Sequence, residues 1–336
     1  MVSASVKDVA ALAGVSVGTV SNVLNRPEKV SADVMSRVQA AIEKLGFVRN
    51  DAARQLRAGM SHSIGLVVLD AGNPFFTELA RGAEDRAAVE HFTVLVGNSN
   101  EDAGREGAYL DLFEQQRVRG ILLSPVGNVV PRLEQLRGRG IPTVLVDRQT
   151  ENPTFSSVAV DDLAGGEMAA AHLLSLGRRR IAFVGGPSSI RQVADRLAGA
   201  RKAVQQVSGA TLEVVEAESL TVLYGRAAGE AIRLRPAAQR PDAIFAANDL
   251  LAMGVLQGLM LMGDVQVPKE IALIGYDDIE FAAAAVVPLS SIRQPSALIG
   301  STALELLLRE ASAEAGFVPT QIVFPPELVV RASTGG

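Results

Sequence analysis

Between residues 64 and 278 the chain repeats one rhythm twice: a short, nearly unbroken apolar run, then a stretch with apolar residues at helical spacing. The first set of runs is IGLVVLD (64–70), FTVLVGN (92–98), GILLSP (120–125) and TVLVDR (143–148). The second is RIAFVGG (180–186), AIFAAND (243–249) and IALIGYDD (271–278). Segments 102–117, 164–176, 192–207 and 250–262 carry the 3.6-residue period between them. Strands that are apolar on both faces and joined by helices pair in parallel and are covered on both sides, so the spacing predicts an α/β body of two lobes. At 336 residues the chain is long enough for such lobes and a further domain.

In parallel α/β sheets, ligands gather outside the carboxyl ends of the strands. Here those ends carry Asp70, Asn98, Asp147, Asn248, Asp249, Asp277 and Asp278. Asp and Asn at such points also cap the helix that follows. The set is therefore expected to divide between caps and ligand contacts.

Ahead of this body, SVKDVAALAGVSVGTVSNVLN (5–25) reads as two short helices across a tight turn. Ser5 and Asp8 approximate a capping box, Val6, Val9, Ala10 and Ala13 repeat at helical spacing, Gly14 allows the turn and Ser16 caps the second helix. On a helical wheel Val20 and Leu24 share one side with Val23 flanking, and Val17 falls nearer that side. Gly18, Asn22 and Asn25 point away, with Thr19 and Ser21 between. A small polar face of this kind suits a helix that enters the major groove of DNA; a helical hairpin packed on the body gives a similar pattern.

Charge divides the same way. Residues 1–60 hold eight Lys or Arg against five acids, a surplus of +3, while the rest of the chain carries −8. A mildly basic head on an acidic body fits DNA binding by the head alone. Between them RNDAARQLRAGM (49–60) has Asn50 as N-cap, Asp51 in the first turn and Gly59 as a stop, a helix too short to persist alone in water.

Zero Cys excludes disulfides, thiolate nucleophiles and Cys-based metal sites. No apolar run reaches the 18 or so residues of a membrane span, and MVSASVKDVA lacks the pattern of a secretory signal, so a cytoplasmic location is expected. His62, His91 and His172 are scattered without metal-ligand spacing. Asp161 with Asp162 and Asp277 with Asp278, being adjacent, point to opposite faces if in strands and make no carboxylate pair. With no GxGxxG after a strand, no P-loop and no GxSxG, neither catalysis nor a cofactor nor a metal is expected.

The blocks VKDVAALAGVSVGTVSNVLN, RNDAARQLRAG, IGLVVLDAGNPFF, DRLAGA, PDAIFAANDLLAMG, VPKEIALIGYDD, PLSSIRQP and PELVVRAST, in this order from residue 6 to 334, resemble the LacI family of bacterial transcription regulators. The resemblance implies an N-terminal all-α helix-turn-helix head (1–49), a hinge helix (50–60) and a two-lobed, periplasmic-binding-protein-like sensor with parallel sheets. Its lobes are expected at 61–160 plus 291–322 and at 161–290 plus 323–336. The implied function is repression of transcription from a pseudo-palindromic double-stranded operator by a homodimer, under control of a small-molecule effector. A transport-type solute-binding protein on the same fold has no use for residues 1–60, and a sugar-processing enzyme, the other alternative, is opposed by the missing catalytic motifs.

By the same resemblance Val17, Gly18 and Asn22 read base edges, Thr19, Ser21 and Asn25 lie near the DNA backbone, Leu56 wedges into the minor groove, and Arg54 and Arg57 serve phosphates. Asn22 can bond adenine in a bidentate manner, Val17 can touch a thymine methyl, and Gly18 offers no side chain. Effector contacts are implied at Asp70, Phe75, Phe76, Asp147, Arg196, Leu220, Asn248 and Asp277. Carboxylates, amides and an arginine supply directional bonds to hydroxyls, while an aromatic face covers ring C–H groups, a set that suits a sugar or sugar derivative. Arg196 is the expected central contact through its two-pronged fork, the other use of that residue being a surface salt bridge with Asp195. Leu220 stands where many relatives carry a stacking aromatic, and Ile190 and Val193 where nucleobase sensors are more polar, which argues against a purine effector.

Overall fold

The computed structural model describes residues 4–47, 61–150, 152–261, 265–313 and 315–335. The chain divides into two compact units, Met1–Met60 and Ser61–Gly336. The expected hinge segment, with Arg54, Leu56 and Arg57, lies outside the described residues.

The first unit contains α1 (Val6–Ala13), α2 (Val17–Asn25) and α3 (Ala32–Leu45). Ser5 and Asp8 form the reciprocal capping box: the Ser5 amide donates to Asp8 Oδ2 at 2.8 Å and the Asp8 amide to Ser5 Oγ at 3.4 Å. Gly14 turns the chain in the left-handed region at φ 63°, and Ser16 Oγ accepts the Thr19 amide at 3.0 Å to start α2. Arg37 of α3 holds the turn by donating to the carbonyls of Ala13 and Gly14 at 2.6 and 3.1 Å, which satisfies oxygens left over at the end of α1. Val9, Ala10, Ala13, Val20, Val23, Val38, Ala41 and Phe47 form the core between the three helices.

Among its described residues the second unit has twelve strands. They are β1 (Ser63–Val68), β2 (Thr93–Asn98), β3 (Ile121–Leu123), β4 (Thr143–Val146), β5 (Ser157–Val160), β6 (Arg180–Gly185), β7 (Thr211–Glu216), β8 (Ala243–Ala246), β9 (Ala272–Asp277), β10 (Ser290–Arg293), β11 (Gln321–Phe324) and β12 (Glu327–Val329). They form two six-stranded sheets, ordered β11-β5-β4-β3-β1-β2 and β12-β10-β9-β8-β6-β7. All pairs are parallel except β10 with β12. Interior strands such as β3, β4, β8 and β9 are buried along their whole length, as continuous apolar runs require. The edge strand β7 instead alternates between exposed and half-buried residues.

Helices cover both sheets. They are α4 (Pro74–Val89), α5 (Ala103–Gln115), α6 (Val130–Gly138), α7 (Asp162–Ser175), α8 (Arg191–Gln205), α9 (Val222–Arg233), α10 (Asp249–Met260), α11 (Glu280–Ala284) and α12 (Ser296–Ala311). The chain passes between the sheets three times: after β5, after β10 and after β11. The expected divisions at 290/291 and 322/323 therefore shift. Each fell inside a strand, and a strand bonded along its length to one neighbour stays in one sheet, so β10 belongs wholly to the second lobe and β11 wholly to the first.

Candidate functional site

On α2 the structure corrects one expectation. Val17, placed nearer the core on the wheel, is 44% exposed, because it opens the helix ahead of the turn that Val20 and Val23 bury against α1 and α3. Gly18 and Asn22 are exposed as well, so all three proposed base-reading positions face outward. Thr19 and Ser21 are half-buried, and Thr19 Oγ1 is engaged with Ser16 Oγ at 2.9 Å. Asn25 closes the helix.

In the second unit all eight residues implied as effector contacts line one cavity: Asp70, Phe75, Phe76, Asp147, Arg196, Leu220, Asn248 and Asp277. Their convergence follows from topology, since each sits at or just beyond the carboxyl end of a parallel strand or in the helix or loop after it. Asn73, Glu101 and Gln192 join them, and the sequence reading missed these three. The signal for Asn73 was its place before the Pro-Phe-Phe that opens α4, where its Oδ1 accepts the Phe75 amide at 3.0 Å. Glu101 and Gln192 carried no comparable signal.

The strand-end set divides as expected between ligand-facing residues and caps. Asp70, Asp147 and Asp277 face the cavity, and Asn248 does both, lining it while its Oδ1 accepts the Leu251 amide as N-cap of α10 and its Nδ2 donates to the Leu220 carbonyl. Asn98 is spent on the amides of Ala71 and Asn100. Asp249 is fully buried and accepts from the Ile279 amide and Ser291 Oγ, which ties α10 to β10. Asp278 pairs with Arg293 and Arg331. Asp161 and Asp162 lie at the start of α7 and not in a strand, so the opposite-face argument does not apply to them: Asp161 caps the helix and Asp162 turns inward.

Asp162 is the partner of Arg196. The guanidinium Nε donates to Asp162 Oδ1 at 2.8 Å, Nη1 donates to the Ala247 carbonyl at 2.7 Å and lies 3.8 Å from Asp277 Oδ1, and the group stacks 3.7 Å above the Tyr276 ring. The salt bridge considered with Asp195 does not form, because neighbours on a helix point about 100° apart; Asp195 instead takes Arg191 one turn away at 2.8 Å. Two nitrogens of the Arg196 guanidinium, Nε and Nη1, are thus held by the protein. Gly166 makes this placement feasible, since a Cβ there would sit 2.0 Å from the Arg196 carbonyl oxygen.

Two direct hydrogen-bonded bridges cross the cleft between the lobes. Asn73 Nδ2 donates to Asp277 Oδ2 at 3.0 Å, and Gln192 Nε2 donates to both the Asp147 carbonyl and Asp147 Oδ2, at 2.6 and 2.8 Å. With these formed the cavity encloses only about 30 Å³, room for a water or two and not for a sugar ring.

The site is rich in buried carboxyls. Burial, more than any neighbour, pushes the pKa values of Asp147, Asp162, Asp249 and Asp277 up, with Asp162 adding to the effect at Asp147 and Arg196 opposing it at Asp147, Asp162 and Asp277. Burial works against the Arg196 charge, but Asp162, Tyr276, Asp277 and Asp147 outweigh it and hold the guanidinium charged. Asp147 Oδ1 is buried with no hydrogen-bond donor. Among the described residues no group of His, Cys, Asp or Glu is arranged to hold a metal ion.

Carboxyls whose folded pKa exceeds the unfolded value contribute stability at pH below the unfolded value, and that contribution is lost as pH rises through the folded values. The second unit is therefore expected to melt at a lower temperature at about pH 8 than at about pH 5. His172, whose pKa burial pushes down, opposes this below its ordinary range. The Asp147→Asn variant, which keeps an acceptor for Gln192 and cannot ionise, should raise the melting temperature at pH 8 and flatten the slope. An unchanged slope would count against burial as the cause.

Residues 5–50 match the family described as bacterial regulatory proteins, lacI family, and residues 170–334 match the periplasmic binding protein-like domain. The ribose operon repressor of Bacillus subtilis (strain 168) is 37% identical over 306 residues, 91% of each chain. The crystal structure of the lac repressor dimer bound to operator and the anti-inducer ONPF superposes with a TM-score of 0.82 at 26% identity, over 99% of both chains. A LacI family transcriptional regulator from Enterococcus faecium with bound ribose gives a TM-score of 0.72 at 28% identity, over 81% of this chain and 98% of that one. Among the described residues no helix is long and apolar enough to cross a membrane.

Proposed function

The chain belongs to the lacI family of bacterial regulatory proteins, and we propose that it is a transcriptional repressor whose hold on its operator is set by a sugar-like effector in the cavity around Arg196. The observation that carries this reading is the convergence of Asp70, Phe75, Phe76, Asp147, Arg196, Leu220, Asn248 and Asp277 on one cavity, in a chain that also presents an exposed, cap-defined recognition helix. The protein works without catalysis, cofactor or metal, in the cytoplasm.

The DNA-contacting residues are Val17, Gly18, Thr19, Ser21, Asn22 and Asn25, joined by Arg54 and the Leu56 wedge from the 50–60 hinge. Two copies grip a pseudo-palindromic site, as the symmetry of a homodimer requires. Leu261 and Val286, 57% and 91% exposed, border a hollow of about 550 Å³ lined by Met253, Leu256, Met260 and Ala285, an apolar surface suited to the second copy.

The bridges across the cleft supply the switch. A ring cannot enter until Asn73–Asp277 and Gln192–Asp147 part, and its hydroxyls then take over the freed donors and acceptors. Binding thereby selects a lobe arrangement other than the one with both bridges formed, and only the difference in affinity between the two is transmitted to the hinge and the heads.

The test is operator affinity with and without sugar. A duplex selected from random sequence by the full-length protein is titrated in fixed salt, with D-ribose and a panel of pentoses and hexoses. At least one sugar should change affinity about 5- to 150-fold, the range of ordinary coupling energies. Affinity indifferent to every sugar would remove the effector reading.

A further inference from the structure

Asp147 and Gln192, hydrogen-bonded to each other, belong to one cavity, and the residues next to them in the chain belong to another of opposite charge. Asp147 and Gln192 line the small cavity around Arg196, while their chain neighbours Arg148 and Arg191 line a larger one of about 380 Å³, together with Asn128, Gln149, Thr150 and Asp195. The small cavity faces Asp70, Glu101, Asp147 and Asp277 against the single cation Arg196, which Asp162 already engages. A dianion has no place there.

The larger cavity has the reverse balance. Arg191 spends its Nε on both oxygens of Asp195, at 2.9 and 2.8 Å, and keeps its terminal nitrogens. Arg148 is half-buried and makes no hydrogen bond or ion pair among the described residues. Burial and, after it, the charge of Arg191 push the Arg148 pKa down, so the two guanidinium groups stand close enough to repel; Asp195, Asp147 and Glu106 offset this only in part. An anion between them would relieve that repulsion and be gripped by planar donor forks that match phosphoryl oxygens.

We propose that this cavity is an anion subsite for the phosphoryl group of a sugar phosphate whose ring occupies the small cavity, an inference that rests on the sugar-effector reading above. The ring cannot enter while the Asp147–Gln192 bridge is closed, and opening it joins the two cavities, so one ligand spans both. The effector is then the phosphorylated form of a monosaccharide, in preference to the free sugar.

Calorimetric titration of the full-length protein with D-ribose, D-ribose 5-phosphate and inorganic phosphate tests this. The ester should bind at least tenfold more tightly than ribose. Arg148→Ala should abolish that advantage and leave ribose affinity unchanged, Arg148→Lys should restore part of it, and Asp195→Asn, which releases Arg191, should tighten the ester several-fold. Each variant's melting temperature checks its fold. An ester no tighter than ribose, or an Arg148→Ala variant that weakens both alike, overturns the subsite. If neither sugar binds while inorganic phosphate binds in an Arg148-dependent way, the cavity takes a free anion only and the sugar-phosphate proposal falls. If both phosphate and ester are silent, the subsite is wrong whatever ribose does.

Discussion

Replacing Arg196 by alanine is expected to cost about 3–5 kcal/mol of stability and to abolish any effector response. The guanidinium is 5% exposed and lies against Asp162 and Asp277, 8% and 3% exposed, with Asp147 nearby. Removing the cation leaves those carboxyls buried without their compensating charge, which is the costly way to break a buried pair. At about 2–4 °C per kcal/mol, the second unit should melt roughly 6–20 °C lower.

A second variant separates folding from binding. Arg196→Met with Asp162→Asn removes both members of the closest pair, and stability should largely return because no bare charge of that pair remains. Effector binding should not return, since the guanidinium proposed to meet the ligand is gone from the cavity. Full stability in Arg196→Ala would show that Arg196 does not anchor the lobe, and an effector response in the double variant would show that it does not meet the ligand.

The second large effect lies on DNA. Asn22 is the one exposed side chain among the proposed base readers that can both donate and accept, and a bidentate amide contact to adenine is worth about 1–3 kcal/mol of discrimination. Asn22→Ala should therefore weaken binding to the selected operator about 5- to 150-fold for each half-site. Binding to unrelated duplex at the same salt should hardly change, because that binding rests on phosphate neutralisation. Equal losses on both duplexes would make Asn22 a backbone contact, and no loss would remove it from the interface. With so few groups available for direct reading, the proposed function leaves much of the specificity to operator deformability, half-site spacing and the wedge role proposed for Leu56.

Much of the architecture was legible because the signals were local. The interior strands β1, β3, β4, β6, β8 and β9 announced themselves as continuous apolar runs, and all were found at the expected places. β7, TLEVVE, did not, because Thr211, Glu213 and Glu216 break up its apolar residues. β5, β10, β11 and β12 were not picked out either; length is not the reason, since β3, β4 and β8 are as short. Val17 misled for a related reason: a wheel assumes that every turn of a helix meets the core, and the first turn of α2 does not.

By itself the sequence determined the capped helix-turn-helix, the doubling of the α/β rhythm and the gathering of polar groups at strand ends. These depend on residues a few positions apart, whose geometry the backbone dictates. Only the tertiary structure decided that Asp249 and Asp278 serve the scaffold while Asp147 and Asp277 face the cavity, that Arg196 takes Asp162 from another helix, and that Asn73 and Gln192 close the cleft. Those choices rest on distances between residues tens to hundreds of positions apart and on how deeply each charge is buried. Burial is a property of the packed molecule, and it sets the electrostatics of the site.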